Sequence, residues 1–262
     1  MIREIKFLSA IWKANLSSVM EYRASFISQV IGMMLNDGVY FLFWVIFFNR
    51  FKEVRGWELS DMFLLFGLVA CGYGFGVVLF GNALSLAEVI SAGKLDYYLS
   101  MPRPVLLHVL ASRSITSGIG DALYGITSFF FAQQYSLDGF VRFLLGSFLS
   151  MIIFLSFLTF VQSLAFWMGN AQNLSNQAIN AIITFSVYPI TLFDNTAKLL
   201  LLTLIPAAFV GALPAEFVRT FSWDRLFLLL GVTALFLSLA IAAFYRGLRR
   251  YESGSGIQIQ GL

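Results

Sequence analysis

Six long apolar runs dominate the chain, at roughly residues 25–48, 61–82, 108–133, 142–168, 177–193 and 225–245. Each approaches the ~20 residues that a helix needs to cross ~30 Å of hydrocarbon, so each predicts a membrane span, the fifth being the shortest. Ahead of them, Ile5, Leu8, Trp12, Leu16 and Val19 recur at three- and four-residue steps while Arg3, Lys6 and Lys13 take other faces. That pattern predicts an amphipathic helix within 1–24, lying in the headgroup layer or packed on the rest of the protein. A seventh apolar stretch, 199–218, contains Pro206, Gly211, Pro214 and Glu216. A full crossing there would send the two termini to opposite sides. Arg3, Lys6, Lys13 and Arg23 before the first span, and Arg246, Arg249 and Arg250 after the last, place both ends in the cytoplasm. The loop with Lys94 and Arg103 falls on the same side, whereas Arg50, Lys52 and Arg55 run against the bias. An even count is therefore expected, with 194–220 forming an outer re-entrant hairpin broken at its prolines. Such a hairpin is tolerated only where its open backbone is buried in protein or faces water.

Composition supports a lipid environment. Of 262 residues, 59% are hydrophobic and 12% charged, against about a quarter charged in soluble domains. The 29 Phe residues suit lipid-facing and interhelical packing. The net charge of +3 reflects cytoplasmic loop bias, and the bases neither cluster nor alternate with aromatics, so no nucleic-acid partner is expected. One Cys (Cys71) and one His (His108) can build neither a disulfide framework nor a Cys/His metal site. Cys71 sits in an apolar run and is expected to pack. The first apolar run begins too far in, and is too long, to be a signal-peptide core. Within 61–82, Gly67, Gly72, Gly74, Gly76 and Gly81 would let another helix approach closely, Gly72 and Gly76 standing four apart. The fold class expected is all-α integral membrane with six transmembrane helices in a single domain, 1–262. Ser253 to Gly256, within the tail 247–262, reads as a flexible cytoplasmic end.

The most informative segment is 84–104, LSLAEVISAGKLDYYLSMPRP, too structured for a connector. Ser85 with Glu88 fits a capping box opening a short helix, and Gly93 with Lys94 fits its stop. A second turn or two follows over Leu95, Asp96, Tyr97, Tyr98 and Leu99, ended by Pro102 and Pro104. Ile90, Leu95, Tyr97, Tyr98 and Leu99 would be apolar groups at the water side. They await a partner surface, dock on headgroups, or fold back on the second and third spans.

Catalytic constellations are missing. No Gly-x-x-x-x-Gly-Lys-Ser/Thr loop occurs, since Gly93-Lys94 lacks both the earlier Gly and the hydroxyl. One His excludes a His-Glu-x-x-His site, and no Gly-x-Ser-x-Gly elbow occurs. Asp37, Arg113 and Asp121 fall in or near spans, where charges are costly. Arg113 and Asp121, eight residues apart on a continuous helix, would share a face of the third span. Asp37 and Asp121 are candidates to line a polar path or a subunit interface, or to be hydrogen-bonded structural groups. The uncharged polar turn from Asn170 to Gln177 reads as a loop or cap.

The stretch GKLDYYLSMPRP resembles the cytoplasmic signature of type-2 ABC exporter permeases, and a bacterial branch with the pattern Gly-x-Leu-Asp-x-x-Leu-x-x-Pro in particular. Gly93, Leu95, Asp96, Leu99 and Pro102 match that pattern, as do Tyr188-Pro189-Ile190 with Phe193 and the closing GLRRYESG from Gly247 to Gly254. Arg103 between two prolines departs from it. The resemblance implies a half-transporter of the bacterial inner membrane, both termini cytoplasmic. It implies two permeases, identical or sister subunits, on two ATP-binding subunits, with ATP and Mg held by those partners and no cofactor on this chain. It also implies a coupling role for 84–104, carried by Glu88, Ile90, Gly93, Lys94, Leu95, Asp96, Tyr97, Tyr98, Leu99 and Pro102. The alternatives are an ion-coupled secondary carrier, for which paired repeats and a midplane relay are lacking, and a non-transporting membrane scaffold.

Overall fold

The computed structural model describes residues 2–133, 136–169 and 171–251, and among them the chain is helical throughout. Helix α1 (Ile2–Met20) precedes α2 (Arg23–Arg50) and α3 (Leu59–Phe80). A 3-10 turn, Gly81–Ser85, leads into the short α4 (Leu86–Ser91), α5 (Leu95–Leu99) and α6 (Val105–Ala111). Then come α7 (Gly118–Phe131), α8 (Leu137–Ser163), α9 (Ala165–Met168) and α10 (Gln172–Ser186). The chain closes with α11 (Asn195–Thr203), α12 (Ala207–Val210), α13 (Ala212–Arg219) and α14 (Trp223–Leu248). The Gly254 end of the closing motif and most of the tail lie outside the described residues.

Four stretches are long and apolar enough to cross a membrane: Arg23–Arg50, Leu59–Ser91, Leu137–Met168 and Trp223–Leu248. The bent pair Asn195–Thr203 and Ala207–Arg219, at 68° to each other, makes a fifth if counted as one span. The third and fifth expected crossings are shorter as helices. The 14 residues of α7 and 15 of α10 reach only ~21–23 Å at ~1.5 Å per residue.

Helices α3 and α8 form the centre, 61% and 72% of their apolar windows being buried, against 17% for α2 and for α14. The outer faces of α2 and α14 carry exposed Ile31, Leu35, Val39, Phe43, Ile46, Phe227, Leu235 and Leu239. Such faces are stable only against lipid or another apolar surface. Glycine permits the tight centre. A Cβ on Gly125 of α7 would stand 2.5 Å from the Gly67 carbonyl oxygen, and one on Gly118 2.8 Å from that of Gly74. On the other side of α3, a Cβ on Gly72 would lie 2.9 Å from the Ser147 carbonyl oxygen of α8. The expected Gly72/Gly76 approach is thus to α8, and Gly67 and Gly74 supply a second approach, to α7.

The 194–220 region departs from expectation in its second break. The first break, between Thr203 and Ala207, contains Pro206 as expected, but Pro214 sits in the first turn of α13, where its missing N–H costs nothing. The second bend falls at Gly211, which presses on the Ser186 carbonyl so closely that no side chain fits. The carbonyl of Val210, freed by that bend, accepts a hydrogen bond from Ser150 Oγ at 2.8 Å. Both flanks of the region meet one short loop. Arg55 donates to the Thr191 carbonyl, and Arg219 donates to the Gly56 carbonyl, pairs with Asp61 at 2.8 Å and covers the Trp57 ring.

The third expected span, 108–133, is not one helix. It is broken at 112–117, between α6 and α7. Ser112, Ser114, Thr116 and Ser117 are weak interior helix formers that compete for backbone hydrogen bonds, and Gly118 and Gly120 follow. Tertiary bonds hold the break: the Ile115 N–H donates to the Val77 carbonyl at 3.0 Å. Asn82 Nδ2 donates to the Val109 carbonyl at 2.8 Å, and Asn15 Nδ2 to that of Ala111 at 3.3 Å.

Candidate functional site

The segment 84–104 folds as two short helices on a packed, hydrogen-bonded base. Helix α4 ends in a Schellman turn: the Lys94 N–H reaches the Val89 carbonyl at 3.0 Å and the Gly93 N–H that of Ile90 at 3.2 Å. Gly93 takes φ +69°, a left-handed conformation that glycine adopts without steric cost. The opening of α4 differs from expectation. Ser85 makes no capping bond, because the 3-10 turn feeds directly into the helix. Gln162 of α8, wholly buried, takes that role: its Oε1 accepts from the Ala87 N–H at 2.7 Å and its Nε2 donates to the Ala83 carbonyl at 2.6 Å.

The expected row of exposed apolar residues divides in two. Ile90 and Leu95 are buried, packed with Leu86, Val109, Ala165 and Phe244, so of the readings left open these two take the one in which they fold back on the protein. Tyr97 and Leu99 stay exposed, at 60% and 43%. Tyr98 lies between, its O–H donating to Ser112 Oγ at 3.0 Å and its ring edge-on to His108. Glu88 and Lys94 form an ion pair at 3.2 Å, too exposed to matter much for stability. Asp96 is exposed and close to Tyr251; burial, then the Asp96 carboxylate, hold the Tyr251 phenol above the usual tyrosine range. Pro102 is exposed in the bend before α6.

Both described ends of the chain meet this segment. Glu4 of α1 pairs with Arg103 at 2.7 Å, Phe7 stacks under the Arg103 guanidinium, and Trp12 Nε1 donates to the Leu79 carbonyl at 2.7 Å. At the other end, Tyr251 stands within 3.8 Å of the Cβ position of Gly93. Between α1 and the segment lies an open cavity of about 660 Å³, lined by Asn15, Asn82, Glu88, Tyr97, His108 and Arg113 among others.

Arg113 is therefore not beside Asp121. The break at 112–117 removes the helical register that would have stacked them, and Arg113 faces the cavity near 84–104. The structure instead brings Asp121 of α7 and Asp37 of α2 together in the lining of a second cavity. Gln162, Asn82 and Asn15 were not singled out by sequence; the partners of Gln162 and Asn15 lie 75 or more residues away, and that of Asn82 lies 27 away.

An all-helical chain with several apolar crossing-length helices and a compact polar pole defines a multi-pass membrane protein. The ABC-2 family transporter protein model matches residues 34–255, and the chain belongs to that family, as a type-2 ABC permease. No curated protein matches the chain. No solved structure matches it either.

Proposed function

We propose that this protein is the permease subunit of an ATP-driven exporter, working as one of two permeases on two separate ATPase subunits that hold ATP and Mg. In this reading the chain crosses the bacterial inner membrane six times, through α2, α3, α6–α7, α8, α10 and α14. Residues 194–220 re-enter from the outer side. Support for the even count comes from Arg55 and Arg219, which tie the start and the end of that region to the same loop. The pole where α1, 84–104 and Tyr251 meet is then cytoplasmic, with the basic residues of both ends around it.

The observation that carries the reading is the shape of 84–104. Tyr97 and Leu99 project from a base fixed by Gln162, the Schellman turn and the α1 contacts. A rigid base transmits force, and exposed apolar tips need a partner. ATP-driven closure of the motor would push α4 and α5, and through them α3, α8 and α6, re-packing the spans between inward- and outward-open arrangements. Tyr97→Asp and Leu99→Asp, which leave the buried base untouched, are expected to abolish co-purification with the co-expressed ATPase at normal membrane levels. Undiminished complex formation by both variants would overturn the coupling role.

A further inference from the structure

The cavity at Asp37 and Asp121 measures about 390 Å³ and lies between α2, α3, α7 and α10. Asp121 is only 3% exposed, and its Oδ2, like that of Asp37, is buried without a hydrogen-bond donor. Neither of these oxygens meets a donor among the described residues, so an ionised carboxylate at either position is left uncompensated. No lysine, arginine or histidine is among the described residues lining the cavity, so these residues supply no counter-charge there. A charge held in a low-dielectric site without a partner is costly, and a cation entering the cavity would relieve that cost.

The rest of the lining shows what kind of cation fits. Tyr73, Tyr188 and Phe66 present aromatic rings, which attract positive charge through their faces. Asn180 and Thr184 of α10 offer hydrogen-bonding groups, and Val69, Ile183 and Val187 offer apolar wall. The cavity reaches the surface beside Asn36 and Tyr40, which are exposed, next to the exposed Leu35 and Val39. A ligand entering there comes from an apolar phase. The size falls within the ~300–1,000 Å³ of small-molecule sites.

We propose that this cavity binds an amphipathic cation, its positive group against the Asp37–Asp121 pair and its apolar body against α3 and α10. This names a substrate class for the transport reading and rests on it. Binding itself is measured without any ATPase, so either idea can fail alone.

The test uses the purified full-length chain in phosphatidylcholine nanodiscs, titrated with the fluorescent amphipathic cation rhodamine 6G and read by anisotropy. Saturable binding is expected, weakened about tenfold or more by Asp121→Asn and by Asp37→Asn, each tenfold being ~1.4 kcal/mol. Thr184→Phe, which adds bulk at the exposed α10 side of the cavity and leaves both acids in place, is expected to weaken binding as well. The anionic dye anilinonaphthalene sulfonate should bind all four proteins alike. Absence of saturable rhodamine binding to the unaltered chain would overturn the proposal. So would unchanged affinity in Thr184→Phe and in whichever aspartate variant melts as the unaltered chain does.

Discussion

Single residues decide how closely the central helices pack, and glycine decides most. Gly125 admits the Gly67 carbonyl at a distance no Cβ tolerates, whereas a Cβ on Gly231 of α14 meets nothing within 4 Å. Gly125→Leu should therefore lose about 1–3 kcal/mol or more through overpacking, and Gly231→Leu should be near neutral. Thermal melting of the detergent-solubilised proteins checks the contrast; equal melting would refute the α3–α7 approach. The glycine cluster was legible in the sequence, but its division between α7 and α8 was not. Four-residue spacing marks one face of one helix and does not say which neighbour meets it. Asp37 and Asp121 were legible as costly charges, yet their meeting was not, because the partner of a buried carboxyl is fixed by tertiary packing.

At the scale of elements, polar clamps rather than apolar runs shape the pole at 84–104. Gln162→Leu would leave the Ala87 N–H and the Ala83 carbonyl without their partners, at about 1–3 kcal/mol for each buried orphan. The expected result is a lower melting temperature and faster tryptic cleavage at Lys94 in the membrane-embedded protein; unchanged cleavage would show that the clamp does not hold α4. Hydropathy found the long helices α2, α3, α8 and α14 because they are continuous. It missed the break at 112–117, where Ser and Thr lie inside an apolar average. The break is stable only because Asn15, Asn82 and Val77, distant in sequence, satisfy its backbone. The Ser85–Glu88 capping box failed for a related reason. A local motif forms where the chain enters from an extended conformation, and here a 3-10 turn precedes it.

Across the whole molecule, an exposed apolar belt on α2 and α14, a central α3–α8 pair and one pole shared by both described chain ends agree with an ABC-2 permease. Membrane class and family were readable from composition and from the Gly93–Pro102 pattern. The way the pole is assembled was not, because Glu4–Arg103 and Tyr251–Gly93 join segments far apart in the sequence. The chain has one cysteine, Cys71, which is buried, so an introduced surface thiol is the reactive one. The most direct measurement attaches a thiol-linked photo-crosslinker to Tyr97→Cys, with Lys52→Cys as the counterpart at the opposite loop, in membranes that contain the cognate ATPase. The account predicts an ATPase adduct from position 97 and none from position 52; adducts from both, or from neither, would contradict it.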